Sequence, residues 1–217
     1  MRKLAYILIA AVVALGASGS TATAQSYYED ERTFYGGLIA GGNFTQVDGD
    51  NFAGYHKTGI NVGGIVYTKL DEHVAASMEV LYAQKGARSK GYFTVNQGTF
   101  ITDYGITLNY AEVPIMLNYF DKRKSHFGAG FSYSRLGTSK EFITTVPASN
   151  VNLNDFPFKK SDYNFVLSGN LHCWKGLFLN LRFQYSVISI RNNTPQNYSR
   201  GEQYNNVYCI RLMYLFM

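Results

Sequence analysis

Beyond residue 24 the chain keeps one rhythm to its end. Segments of roughly 10–15 residues alternate apolar and polar side chains, which is the period of a strand with one apolar face. The connectors alternate in length. Leu70–His73, Asp121–Ser125 and Trp174–Lys175 are short, whereas Val47–Thr58, Ser89–Gly105, Lys140–Ser161 and Arg191–Gln203 are long. Tight turns at one end and long loops at the other describe an up-and-down sheet with two different rims. Such a sheet is expected to close as an outer-membrane β-barrel, with short periplasmic turns and long extracellular loops.

Met1–Ala24 reads as a secretory signal. Arg2 and Lys3 start it, Leu4–Leu15 is its apolar run, and Ala22-Thr23-Ala24 is a small-residue cleavage site. The apolar run is too short to span a bilayer. Cleavage is expected before Gln25, leaving residues 25–217 as a single barrel domain. Because Gln25 is not Cys, a lipid-modified N-terminus is not expected. Losing Arg2 and Lys3 lowers the formal charge from +5 to +3. With no basic run, nucleic acid is not expected as a partner. Charged residues make up 16% of the chain and aromatic residues another 16%. That balance suits a lipid-facing β protein. No segment after the leader is long and apolar enough for a membrane helix, so a membrane location demands a closed barrel, which satisfies its own backbone hydrogen bonds. Cys173 falls at a short-turn rim and Cys209 within the last strand, so two free thiols are expected.

About eight strands fit, the smallest usual membrane barrel. In the first, near Phe34–Gln46, Phe34, Leu38, Ala40 and Phe44 share one face, and Tyr35, Ile39, Asn43 and Thr45 the other. The second, near Gly59–Lys69, turns Ile60, Val62 and Val66 out and Asn61 in. The third, near Val74–Arg88, turns Met78, Val80 and Tyr82 out, and Ser77, Glu79, Ala83 and Lys85 in. The fourth, near Ile106–Phe120, turns Ala111, Val113, Ile115, Leu117 and Tyr119 out, and Tyr110, Glu112, Met116 and Asn118 in. Pro114 also points in, and predicts a bulge or a local gap in the ladder. The fifth, near His126–Ser139, places Phe127, Ala129, Phe131 and Tyr133 outward. The sixth, near Asp162–Cys173, points Asn164, Ser168, Asn170 and His172 inward. The seventh, near Gly176–Ile190, points Asn180, Arg182, Gln184 and Ser186 inward. The last turns Tyr208, Ile210, Leu212, Tyr214 and Phe216 outward, with Cys209 and Arg211 on the other face. In a soluble barrel with an apolar lumen, Glu79, Glu112, Arg182 and Arg211 would instead be solvated. The aromatic-rich apolar faces, the asymmetric connectors and the aromatic end favour the membrane phase.

Three stretches carry a family resemblance: Gly37-Leu38-Ile39-Ala40-Gly41-Gly42-Asn43-Phe44-Thr45, Glu79-Val80-Leu81-Tyr82-Ala83-Gln84-Lys85-Gly86-Ala87, and Tyr110-Ala111-Glu112-Val113-Pro114-Ile115-Met116-Leu117-Asn118-Tyr119. On these the mature chain resembles the PorT-like outer-membrane β-barrel family, also known generically as porin-family barrel domains. Ile39 and Asn118 stand where the family commonly has Lys. The resemblance implies an integral outer-membrane protein of eight strands. PorT itself is associated with assembly of a secretion apparatus, a role that fold alone does not transfer.

Sites for chemistry are sparse. His56, His73, His126 and His172 lack metal-ligand spacing, and no metal or other cofactor is expected. Asp48-Gly49-Asp50-Asn51 lacks the remaining ligands of a calcium loop. Ser89, Asp103 and His56 could gather on the long-loop side, but their spacing does not require it. Asn43-Phe44-Thr45, Asn192-Asn193-Thr194 and Asn197-Tyr198-Ser199 match the glycosylation pattern by chance.

The expected function is therefore non-enzymatic: a membrane-embedded structural or accessory scaffold linked to assembly of an envelope or secretion complex, or to surface binding. A small-solute porin and a rim enzyme or adhesin are the alternatives. Membrane lipid and another envelope protein are the expected partners. In the lumen, Glu79, Glu112, Arg182 and Arg211 are expected to neutralise each other at one level, with Lys85 and Tyr110 adding hydrogen bonds higher up. In the loops, Tyr92, Phe93, Phe142, Phe156 and Phe158 either anchor a partner or fold over the mouth.

Overall fold

The computed structural model describes residues 33–52, 54–96, 99–148, 152–193 and 199–216. The leader expected at Met1–Ala24 lies outside them. The strands are β1 (Phe34–Asp50), β2 (Lys57–Lys69), β3 (Val74–Asn96), β4 (Thr99–Phe120), β5 (His126–Val146), β6 (Ser161–Trp174), β7 (Leu177–Ser186) and β8 (Ser199–Leu215). Each pairs antiparallel with the next, and β1 pairs with β8, so the eight strands form a closed barrel. Closure leaves no sheet edge within the wall, as a bilayer requires. A 3-10 turn at Leu153–Asp155 interrupts the long connection between β5 and β6.

The phase of alternation separates a membrane barrel from a soluble one. Outward Val80, Ile115, Leu117 and Phe131 are 60%, 60%, 62% and 66% exposed, whereas inward Glu79, Glu112, Arg182 and Arg211 are 2%, 0%, 3% and 1%. Removing one such apolar side chain from water gains about 1.5–3 kcal/mol, so a whole apolar wall is stable only against lipid.

Short turns close one rim. Leu70 N donates to Val74 O at 2.9 Å and Asp121 N to Ser125 O at 2.8 Å, while residues 175–176 link β6 to β7. Pro114 leaves a gap without a bulge. The β3–β4 ladder passes from Met78 opposite Ile115 to Leu81 opposite Glu112 in unchanged register, while Pro114 still faces Ser132 of β5. The missing proline N–H accounts for the interruption. Where β2 meets β3, a Cβ on Gly63 would strike the Val80 carbonyl oxygen.

The long-loop side corrects the expected boundaries. Ser89–Gly105 is not a loop: β3 and β4 continue through it as a hairpin, and β5 runs past Lys140 to Val146. The β-branched and aromatic residues Phe100, Ile101, Phe142, Ile143, Thr144 and Val146 favour a pleated sheet despite the intervening Gly, Lys and Ser. Conversely, β7 stops at Ser186, short of Ile190. The result is a lopsided barrel in which β3, β4 and β5, of 23, 22 and 21 residues, rise well beyond the 10 residues of β7. A tilted spanning strand needs only about 9–11.

Candidate functional site, a filled lumen beneath a closed mouth

Inward side chains stack in three layers. At the short-turn end lies an aromatic floor. The His126 ring stacks on Phe120 at 4.1 Å between centroids, and Tyr67 Oη meets His126 Nε2 at 2.8 Å, with Phe178 edge-on at 5.5 Å.

Above the floor, Glu79 of β3 takes two cations. Arg182 of β7 donates through Nη2 to Oε1, and Arg211 of β8 donates through Nη1 to Oε2 at 3.1 Å. Arg211 is further fixed by Nε donating to Asn180 Oδ1 at 2.8 Å and Nη1 to Asn61 Oδ1 at 3.1 Å. Asn61 and Asn180 are themselves donors, to Asn43 Oδ1 at 3.1 Å and Asn170 Oδ1 at 2.6 Å. Inward asparagines of four strands thus form the network that holds one arginine, two of them accepting from it directly.

Closer to the mouth, Lys85 Nζ lies 2.9 Å from Glu112 Oε2 and 3.6 Å from Asp162 Oδ2. Ser134 Oγ and Gln184 Nε2 donate to Glu112, Ser186 Oγ donates to Asp162 Oδ1 at 2.8 Å, and Asn205 Nδ2 donates to Asp162 Oδ2 at 2.9 Å. The Tyr110 ring lies 5.2 Å from Lys85 Nζ and its hydroxyl accepts from Asn205. Three acids, Glu79, Glu112 and Asp162, balance three bases, Lys85, Arg182 and Arg211, so these six sum to zero. All are within 3% of complete burial. Buried ions persist only in such pairing.

The four charges read from the sequence therefore share the lumen but not one level. Both arginines serve Glu79, while Glu112 turns to Lys85. Lys85 is an ion-pair partner, not an accessory donor. Lys85, six residues beyond Glu79 along β3, meets both Glu112 and a third acid, Asp162. Its inward phase, two residues before Asn164 on β6, was the available signal.

The mouth is apolar. Val47, Phe52, Tyr104, Ile106, Leu108, Leu136, Phe158 and Ile190 pack in one buried cluster. Phe52 stacks on Tyr104 at 4.5 Å, and the Arg191 guanidinium caps Phe158 at 3.8 Å while donating to both oxygens of Glu141. Residues 187–193 are held there by Ile190 N donating to Gln203 O at 2.8 Å and Lys159 N to Ile190 O at 2.8 Å. Phe52, Arg191 and Glu141 lie in stretches that read as loops, and Ile190 at the expected end of the seventh strand, so none of them was expected in the mouth.

The loop aromatics divide. Phe158 is buried in the mouth and is not an exposed anchor. Phe93 lies on β3 with its ring edge-on to Phe52 at 4.9 Å, and Phe142 lies on β5 beneath the Arg88 guanidinium at 4.9 Å. Phe156 is half-buried after the 3-10 turn, and the Tyr92 side chain lies outside the described residues. Asp103 is held by Arg88 at 3.1 Å. Asp48 accepts from Gln46 at 2.7 Å and Asn206 at 3.0 Å, and Asp50 accepts from Phe52 N at 2.9 Å. Among the described residues no cluster of His, Cys, Asp and Glu could hold a metal ion. Cys173 and Cys209 are free.

A closed barrel with an apolar exterior and a neutralised polar interior is an integral outer-membrane protein. Residues 23–192 match the family model described as Outer membrane protein beta-barrel domain, and the chain belongs to that family. No curated protein matches it. Among solved structures it is similar to Ail, the attachment invasion locus protein of Yersinia pestis, at 11% identity and TM-score 0.45, covering 85% of this chain and 100% of that one. It is similar to OprG from Pseudomonas aeruginosa at 13% identity and TM-score 0.41, covering 84% and 94%. It is also similar to AlkL at 16% identity and TM-score 0.41, covering 91% and 96%.

Proposed function

We infer that the protein is a non-enzymatic, non-conducting scaffold of the outer membrane that docks an envelope or surface protein on the sheet rising above its barrel. Within the family, the stretch Tyr110–Tyr119 supports a PorT-like member with a role in assembling an envelope or secretion complex. Residues 1–24 serve as its export signal, and 25–217 form the mature barrel domain.

The observation carrying this reading is the filled lumen. Three packed layers leave the interior to side chains, so the long-loop side is the working surface. That side carries an open edge. Pairing of β5 with β6 ends at Arg135 opposite Ser161, and among the described residues no strand pairs with that side of residues 137–144. An unpaired edge invites an added strand from a partner, with side-chain pockets setting specificity. Phe142 and Val146 are exposed on the same strand.

A photo-crosslinking residue placed at Phe142 in living cells tests the reading. The expected result is a discrete protein adduct that is absent when the same residue replaces Phe131 of the lipid-facing wall. No adduct at Phe142, or the same adduct at both sites, contradicts it.

A further inference from the structure

Space opens on the outside of the wall. A groove of about 770 Å³ crosses β5, β6, β7 and β8 and ends against Phe44 and Tyr55. Phe127, Gly169, Leu181 and Ile210 face one another on successive strands along it. Gly169 is the notch, since a Cβ there would meet no atom within 4 Å, while its neighbours along the strand are Leu167 and Leu171. Strands of such barrels tilt by about 35–45°, so a row across them climbs the wall obliquely. Its low end is Phe127, beside the short turn that precedes β5.

That low end is cationic. The turn holds Lys122, Arg123 and Lys124 against a single acid, Asp121. The neighbouring turn supplies Lys175, whose Nζ lies 4.8 Å from the ring centre of exposed Trp174. His172 N donates to Ser125 Oγ at 3.2 Å, fastening the two turns side by side. The opposite end is closed by the Tyr55 ring edge-on to Tyr208 at 4.9 Å, with the Tyr55 hydroxyl on Asn206 at 2.8 Å.

We propose that this groove and its two basic turns bind one anionic phospholipid of the periplasmic leaflet, the acyl chain lying in the notch at Gly169 and the phosphate on Lys122, Arg123 and Lys175. Apolar fit alone selects little inside a bilayer, because lipid tails are as apolar as the wall. The cations choose the lipid, since basic residues at a membrane surface attract anionic headgroups, and Trp174 sits at the interfacial depth that aromatic side chains favour. The groove is open at its basic end and closed by tyrosines at the other. A lipid of the periplasmic leaflet therefore fits it, and lipopolysaccharide of the opposite leaflet does not.

Native mass spectrometry of the protein released from nanodiscs of equal phosphatidylethanolamine and phosphatidylglycerol tests this. The wild-type protein is expected to retain phosphatidylglycerol with a preference on the order of tenfold. In Lys122→Gln/Arg123→Gln the preference falls to about parity, while heat-modifiable gel mobility shows that the barrel is folded. In Gly169→Leu, whose Cβ meets no atom within 4 Å and whose side chain occupies the notch, total retained lipid falls several-fold. Equal retention of both lipids by the wild type overturns the proposal. So does an unchanged preference in the double variant, unchanged retention in Gly169→Leu, or displacement of phosphatidylglycerol by added lipopolysaccharide.

Discussion

At the scale of residues, the lumen is a balance of charge, and its energetics follow from removing one member at a time. Arg182→Ala leaves Glu79 sharing Arg211 with its asparagines and leaves the lumen one charge negative. Breaking a buried pair in this way costs about 3–5 kcal/mol. Urea unfolding in lipid vesicles is expected to show that loss. The variant Glu79→Gln/Arg182→Met restores a net lumen charge of zero, leaves Arg211 to Asn61, Asn180 and the new amide, and is expected to recover part of the difference, because coupled residues do not add. Equal or greater destabilisation by the double change would show that packing, not charge, dominates. The sequence disclosed Glu79, Glu112, Lys85, Arg182 and Arg211 as inward residues because each lies in phase with polar neighbours. It did not disclose who pairs with whom. Pairing depends on how far each strand is sheared past the next, which also brings Asp162 into one cluster with Lys85 and Glu112.

At the scale of elements, strand phase was legible wherever lipid touches one face, because a bilayer enforces apolar alternation residue by residue. Beyond the bilayer that constraint vanishes. Residues 136–146 of β5 carry Lys140 and Glu141 between Ser139 and Phe142, and no face there must be apolar, so the strand reads as a loop. The hairpin of β3 and β4 hides for the same reason. Register is then fixed by close backbone approach as well as by phase. Gly63→Val would drive its side chain into the Val80 carbonyl at the β2–β3 seam. The expected outcome is destabilisation of at least about 1–3 kcal/mol, seen as a lower urea midpoint and a reduced fraction of heat-modifiable protein. A wild-type midpoint would mean that the seam is looser than the register implies.

At the scale of the whole molecule, an apolar wall holds a column whose composition changes with height: aromatic floor, neutralised ionic centre, apolar mouth. An eight-stranded barrel has an interior just wide enough for side chains to fill. Here Arg211, Lys85, Tyr110, Tyr104 and Arg191 are among its largest fully buried side chains. The ionic layer was visible in the sequence as polar residues in the inward phase. The mouth was legible only as one of two readings for Phe158; Phe52 and Ile190 reach it from residues beyond the ends of β1 and β7, and only the closed fold brings them together. Outward-directed function and a lumen given over to packing are two sides of the same arrangement, and both rest on the filled column. Single-channel recording of the purified, refolded protein in planar bilayers tests it most directly. A silent membrane is expected at protein levels where heat-modifiable mobility confirms folded barrels. Stable, reproducible conductance steps from the wild-type protein would contradict it.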